Sequence, residues 1–581
     1  MSLNRIELRW PGKDDRPKLE PRVLIPVPAL SFGEKNSPNL LVRGDNLLAL
    51  KALEQRYSGI IQMIYIDPPY NTGSAFAHFD DGFEHSIWLG LMRERLELLK
   101  GLLAPTGIIF VQIDDGEQAY LKVLMDEVFG RKNFTGQIVW EKKKKPSFLN
   151  SNMGVITEYI LSYAKDRQTS PAFICGVTTE GKKYPFNNGG NGVKILTFPA
   201  KSVLFRMENQ IITPMDMSEG NIITRLLDTI AIKDGTNENA FRLEGEWRYS
   251  QSRLDEIVSN KEQIVISKIP FRPNHIKAGG EEKKMKNLLT IAHYQMATYE
   301  DSSKESIALF GETQAFDYPK PEALIRHLIE AVTSPDDFVL DSFAGSGTTG
   351  AVAHKLNRRW IMIEMGEHCE THIVPRLKKV IEGQDQGGIS SSCGWNGGGG
   401  FRFCRVAPSL LKRDEFGNWI INSCYNPEML AEAVCKLEGF TYAPSKTDYW
   451  RHGQSTERDF IYVTTQTLTH SQLQALSAAA GTERTLLVMC SAYRGDPDTF
   501  TNLTVKKIPK SVQDECEWDK DDYSLTITNP IASVDDSVNV VAKQELEVNT
   551  PLAAQPASTP AKRRGRPPKV RPENPGQQTI L

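Results

Sequence analysis

Between Asn39 and Gly130 the chain alternates short apolar runs with longer stretches in which apolar residues recur every three or four positions. NLLVRGDNLLALKAL followed by IIQMIYIDPPYNTG sets the rhythm of apolar run, amphipathic helix and second run, as expected of parallel strands joined by crossover helices. Residues 60–66, IIQMIYI, read as a buried strand. Pro68 and Pro69 stop it, because proline cannot donate to a sheet ladder and holds the preceding residue extended. Asp67 thus falls at the carboxyl end of a central strand, where open α/β sheets bind ligands. A helix follows in SIWLGLMRERLELLKGLL, with Leu89, Met92, Leu96 and Leu99 at helical spacing. The strand GIIFVQIDD (107–115) and the helix QAYLKVLMDEVFG complete three such units.

From about Pro146 this pattern gives way to mixed polar sequence such as KKYPFNNGGNGVK, with short strand and helix signals to residue 310. A long insertion of this kind in an α/β domain is usually functional. The rhythm then returns, with YPKPEALIRHLIEAV as a helix, DFVLDSF as a strand, AGSGTTGAVAHKL as a loop and helix, and RRWIMIEM as a further strand. The expected organisation is an N-terminal arm (1–37), a first α/β half (38–165), an insertion (166–310) and a second α/β half (311–383). A Gly/Ser-rich flexible joint (384–400), a small C-terminal α/β domain (401–530) and a disordered tail (531–581) follow.

Composition narrows this picture little. The 40% hydrophobic and 24% charged residues are ordinary for a folded chain, and the net charge of −3 does not announce a polyanionic partner. Eight cysteines without a C-x-x-C pair argue against a zinc site or a disulfide framework, and point to a reducing, cytoplasmic setting. No apolar run reaches the ~18 residues of a membrane span, and the charged start lacks the apolar core of a signal peptide.

Two short motifs carry the chemistry. In DSFAGSGTTG (341–350), Gly345, Gly347 and Gly350 fit G-x-G-x-x-G between a strand and a helix, with Glu364 near the spacing of a ribose-binding acid. Taken alone this suggests a dinucleotide, or a tight turn without a ligand. A Walker loop is excluded, because no Lys follows a glycine at the required spacing. The second motif is Asp67-Pro68-Pro69-Tyr70, which chance would place in a chain of this length on the order of once per several hundred proteins. A dinucleotide oxidoreductase would leave it unexplained.

Together, DPPY (67–70) and FAGSG (343–347) resemble the signatures of S-adenosylmethionine-dependent DNA amino-methyltransferases. With the catalytic signature first and the cofactor loop after a long insertion, the order is similar to the permuted β group. The resemblance runs from about Asn39 to Gly383, through RGDNLLALKAL, FVQIDDGE, ITEYILSYAK and YPKPEALIRHLI, and is greatest to modification subunits of type III restriction–modification systems. It implies a Rossmann-like methyltransferase fold with a permuted, seven-stranded, mostly parallel sheet, an inserted target-recognition domain and S-adenosylmethionine as cofactor. Methyl groups would pass to the N6 amino group of a flipped-out adenine in double-stranded DNA.

Asp67 and the Pro68 carbonyl would accept the two amine hydrogens, with Pro69 shaping the turn and Tyr70 stacking on the base. Phe343 and Ala344 would border the cofactor's adenine, while Gly345, Ser346, Gly347 and Thr348 admit its methionine portion and Glu364 binds the ribose. Asp45 resembles the acid that meets the adenine amino group, although Asp45 and Glu364 could each instead cap a helix or face water. Asp341 is expected to organise the loop, and Lys320 and Pro321 either line the methionine end or only start a helix. Cytosine N4 is the alternative target, and RNA or protein glutamine a more distant one.

For DNA contacts, Lys142, Lys143, Lys144 and Lys145 form either a phosphate-neutralising run or a solvated surface. KRRGRPPK (562–569) resembles an AT-hook, with Arg564, Gly565, Arg566 and Pro567 at its centre, against the alternative of a solubilising tail. A two-fold homodimer and a helicase–nuclease restriction subunit are the partners implied by the resemblance. The rival reading is a DNA-recognising scaffold that delivers such a nuclease.

Overall fold

The computed structural model describes residues 7–70, 85–146, 152–177, 181–277, 279–280 and 282–524, together with the paired backbone of 75–76 and 79–80. The expected disordered tail and its AT-hook-like motif lie outside these residues, as does the Asn71-Thr72-Gly73 that follows DPPY.

Eleven strands build the main sheet: β1 (Leu24–Pro26), β2 (Phe32–Gly33), β3 (Leu40–Arg43), β4 (Ile61–Ile66), β5 (Leu103–Ile113), β6 (Phe134–Glu141), β7 (Thr157–Ala164), β8 (Leu288–Leu289), β9 (Phe338–Asp341), β10 (Arg359–Glu364) and β11 (Gly400–Val406). Their order is β1-β11-β3-β10-β9-β4-β5-β7-β6-β8, with β2 also on β11. From β11 to β5 all neighbours are parallel, and β7 runs antiparallel to both β5 and β6. The seven expected strands are β3, β10, β9, β4, β5, β7 and β6. The sheet is wider than expected because β1, β2 and β11 extend one edge and β8, from the insertion, extends the other.

Both faces are covered, which is why the central strands read as continuous apolar runs. One core joins the sheet to α1 (Asn46–Tyr57), α2 (His85–Leu102) and α3 (Gln118–Met125) through Leu50, Leu53, Trp88, Met92, Leu96 and Leu121. The opposite core includes α4 (Tyr299–Phe310), α5 (Glu322–Val332), α6 (Thr348–Lys355) and α7 (Val374–Ile381), through Tyr299, Leu324, Leu328, Val352, Ile373 and Leu377. The insertion has its own core, around Phe198, Phe205, Phe241 and Phe271, between a seven-stranded and a four-stranded sheet.

Residues 384–400, expected to be a flexible joint, are packed instead. Asp385 pairs with Lys355 at 2.7 Å, the Ile389 amide donates to Glu322 at 3.0 Å, and a short helix spans Ser390–Cys393. Glycine here is not slack: at Gly397 a Cβ would lie 2.7 Å from the Ile381 carbonyl, so there it allows close backbone approach. The C-terminal unit's first strand, β11, therefore belongs to the main sheet, while residues 441–507 form a separate five-stranded sheet. Among the described residues no helix is long and apolar enough to cross a membrane.

Candidate active site

Parallel strands bring their carboxyl ends to one edge of the sheet, so residues distant in sequence become neighbours there. In spatial order this edge presents Asp45 just after β3, Glu364 ending β10, Asp341 ending β9, Asp67 just after β4 and Gln112 near the end of β5. Because β7 is reversed, its first residues arrive at the same edge and bring Glu158. One cavity is lined by residues from both sequence motifs, including Tyr65, Asp67, Lys320, Phe343, Gly345 and Ser346.

Asp67 accepts the Tyr70 phenol at Oδ1 (2.7 Å) and the Lys320 ammonium at Oδ2 (2.5 Å). Burial pushes its carboxyl up, Lys320 draws it back, and Glu158 adds like-charge repulsion. The Pro69 carbonyl accepts the Trp88 indole at 2.7 Å, whereas the Pro68 carbonyl has no hydrogen-bond partner among the described residues. Lys320 thus does more than precede a helix, since it also lies 5.3 Å from the Tyr70 ring and 5.2 Å from that of Tyr299. Pro321 is the residue that caps α5.

On the loop side, Asp341 Oδ1 accepts the Phe343 amide (2.9 Å) and Oδ2 the Thr349 hydroxyl (2.6 Å), which folds the loop over the strand end. Glu364 accepts the amides of Gly345 (2.8 Å) and Gly366 (3.0 Å) and lies 3.1 Å from His368. Burial works to raise its carboxyl, but His368 and these amides hold it below the ordinary range. Ala344 is buried and bonds the Ile363 carbonyl, and the Ser346 and Thr348 hydroxyls are 3.0 Å apart. Arg376 ties Thr348 (2.7 Å) and the Ser346 carbonyl (3.2 Å) to Glu322 (2.9 Å). Gly347 has φ 75°, and a Cβ there would meet Ile373 Cγ2 at 2.8 Å. Gly347→Ala should therefore lose about 1–3 kcal/mol of stability, read from urea unfolding.

Asp341 also sets a pH dependence. Burial pushes its carboxyl from 3.8 up to about 7, against the pull of Thr349 and Phe343. Its contribution to stability is whole below the unfolded value and is lost as pH rises through the folded one. Asp341→Asn should reduce the fall in unfolding free energy between about pH 5 and about pH 7.5 by on the order of 2–3 kcal/mol relative to the unsubstituted chain. Glu305, also raised to about 7 by burial and by Glu322, titrates in both proteins and cancels in the comparison.

Two further expected residues or groups are held by contacts within the chain. Asp45 caps α1 through the Leu48 amide (3.1 Å), and its second oxygen accepts the Tyr523 amide (3.1 Å) and Arg95 (3.4 Å). In this conformation Asp45 is a helix cap covered by chain, the bland alternative. The lysine run is not a uniformly solvated patch either: Lys142 donates to Glu158 (3.2 Å) and Lys144 to Asp301 (2.5 Å), while the Tyr299 amide bonds the Lys142 carbonyl (2.9 Å). Lys143 and Lys145 continue the run beside them.

Glu158, Gln112 and Tyr299 carry no motif that marks them in the sequence. Glu158 is 2% exposed and accepts from Gln112 (2.6 Å), Lys142, Tyr70 (3.1 Å) and Tyr299 (3.0 Å). Gln112 in turn accepts the Tyr65 phenol at 2.6 Å. The legible signal was a lone amide in the apolar run GIIFVQI and a lone carboxylate in ITEYILSYA, because a polar group on a buried strand needs a partner.

A family model described as DNA methylase matches residues 61–374. The chain is 33% identical over 415 residues to the probable type III restriction-modification enzyme HindVI Mod subunit of Haemophilus influenzae, covering 64% of this chain and 54% of that protein. It is 30% identical to the StyLTI Mod subunit of Salmonella typhimurium, covering 60% and 55%, and 29% identical to the EcoPI Mod subunit of Escherichia phage P1, covering 66% and 65%. The matched segment thus spans little more than half the length of the first two relatives.

Proposed function

The chain belongs to the DNA methylase family, whose model spans more than half of it, and from that membership we propose that it transfers a methyl group from S-adenosylmethionine to the N6 amino group of adenine in double-stranded DNA. The observation that carries this reading is the single cavity shared by Asp67 and the Phe343–Thr348 loop, two motifs nearly 280 residues apart in sequence.

The donor set fits the cofactor. Glu364, held below the ordinary carboxylate range, can accept the ribose hydroxyls, Phe343 offers a partly exposed ring, and the Ser342 hydroxyl is buried without a partner among the described residues. When bound, S-adenosylmethionine supplies an electrophilic methyl group. Among the described residues the cavity measures about 40 Å³, and Phe316, Tyr318, Pro319 and Lys320 line it together with the glycine loop.

The adenine amine is a weak nucleophile because its lone pair is delocalised into the ring. Asp67 and the Pro68 carbonyl accept its two hydrogens and favour a tetrahedral nitrogen, and the Tyr70 ring holds the flipped base. Incubation with methyl-labelled S-adenosylmethionine and unmodified DNA, followed by base analysis, should place the label on adenine N6. Label on cytosine N4 would overturn the base assignment.

Similarity to three Mod subunits favours a second level of the reading, in which the protein modifies DNA for a restriction system and partners a restriction subunit. Within that reading the insertion chooses the sequence, and Lys143 and Lys145 face phosphate.

A further inference from the structure

We propose that Glu158 is a positioning residue for this reaction: as the base amine arrives, it takes over the Tyr70 phenol hydrogen bond and so frees Asp67 Oδ1 to accept an amine hydrogen. The inference rests on the methyl-transfer reading.

Both oxygens of Asp67 are engaged in the structure, Oδ2 by Lys320 and Oδ1 by Tyr70. An arriving amine must therefore displace a donor. Tyr70 has a second acceptor in place, because its hydroxyl lies 2.7 Å from Asp67 Oδ1 and 3.1 Å from Glu158 Oε2, and one phenol proton serves one acceptor at a time. The exchange needs only rotation about the phenol C–O bond. The ring stays where it can stack on the base, the O–H bond stays intact, and no proton changes owner.

Glu158 is built to wait for that proton. Its carboxylate is buried, yet Lys320 and Lys142 hold it ionised against the cost of burial. Gln112 fixes it from the sheet: its Oε1 accepts from Tyr65 and its Nε2 donates to Glu158, both at 2.6 Å, so flipping the amide would break both bonds. Tyr299, the first residue of α4, fixes it from the far side. Only the reversed direction of β7 brings this carboxylate to the edge where β4 presents Asp67.

The test is a double-mutant comparison. Glu158→Gln places an amide nitrogen among donors and should lower kcat about 10- to 100-fold with KM for DNA little changed. In a Tyr70→Phe background there is no phenol proton to redirect, so adding Glu158→Gln should change kcat less than about twofold. An equal loss in both backgrounds would make Glu158 merely structural and overturn the proposal. Should Glu158→Gln fail to fold, Glu158→Asp keeps the charge, withdraws the acceptor and should show the same pattern. A readout independent of transfer is the 13Cζ resonance of Tyr70, assigned by its loss in Tyr70→Phe, which should move on Glu158→Gln; an unmoved resonance overturns the contact. A wild-type protein that puts no label on DNA, but whose Tyr70 resonance still moves, would instead sink the methyl-transfer reading and leave the contact standing.

Discussion

Asp67→Ala should lower methyl transfer by about 10²–10³-fold or more while leaving DNA binding in place. On the proposed mechanism the acceptor lost grips the amine most strongly as its nitrogen becomes tetrahedral, so the defect belongs in kcat rather than in KM. Single-turnover transfer of labelled methyl, measured beside DNA retention on a filter, separates the two. The side chain is only partly enclosed, with 25% exposed against 9% for Lys320. Its removal leaves that ammonium facing Tyr70 and Tyr299, whose rings still offer it a favourable surface, so the fold should survive the substitution. A substituted protein that kept normal turnover would remove Asp67 from the chemistry altogether.

The largest effect on stability is expected at Glu322, which lies outside both motifs. Its carboxylate, 1% exposed, accepts from Lys355 (2.7 and 2.9 Å), Arg376 (2.9 Å) and the Ile389 amide (3.0 Å). Burial alone would raise its carboxyl, yet Arg376 and Lys355 hold it below the ordinary range. Glu322→Ala strands Arg376, 4% exposed, and leaves Lys355 only Asp385. Breaking a buried network of this kind costs about 3–5 kcal/mol, which should appear as a fall in melting temperature on the order of 10 °C. Because Arg376 also holds Thr348 and the Ser346 carbonyl, the loop proposed to meet the cofactor should loosen in the same protein. Calorimetry with S-adenosylhomocysteine would then show weaker binding. A melting temperature within 2 °C of the parent's, a threshold below about 1 kcal/mol, would mean that the cations find other partners.

The parts of this fold that were legible in the sequence are those where local pattern and final environment agree. IIQMIYI, DFVLDSF and RRWIMIEM have continuous apolar centres because helices cover both faces of their sheet, and they appear as strands where the pattern placed them. DPPY and FAGSG could be placed because proline and glycine act on the backbone locally. Other features depend on neighbours that no short window contains. Glu158 and Tyr299 are separated by 141 positions and meet because α4 packs against the sheet. Asp45 was readable as an acid at a helix start, but Tyr523 covers it from 478 positions away. The glycine run before β11 has the composition of a linker, and only the strand it delivers shows that the chain there is fixed.

That strand also sets a timetable. Pro26 of β1 pairs with Cys404 of β11, so β1 waits for roughly 380 further residues to be synthesised before its partner exists. At about 5–20 residues per second that interval is on the order of 20–75 s, during which β3 also keeps an open parallel edge. On the ribosome, then, the catalytic sheet can assemble from its middle outward, but it cannot close at β3 until the whole insertion has already been made.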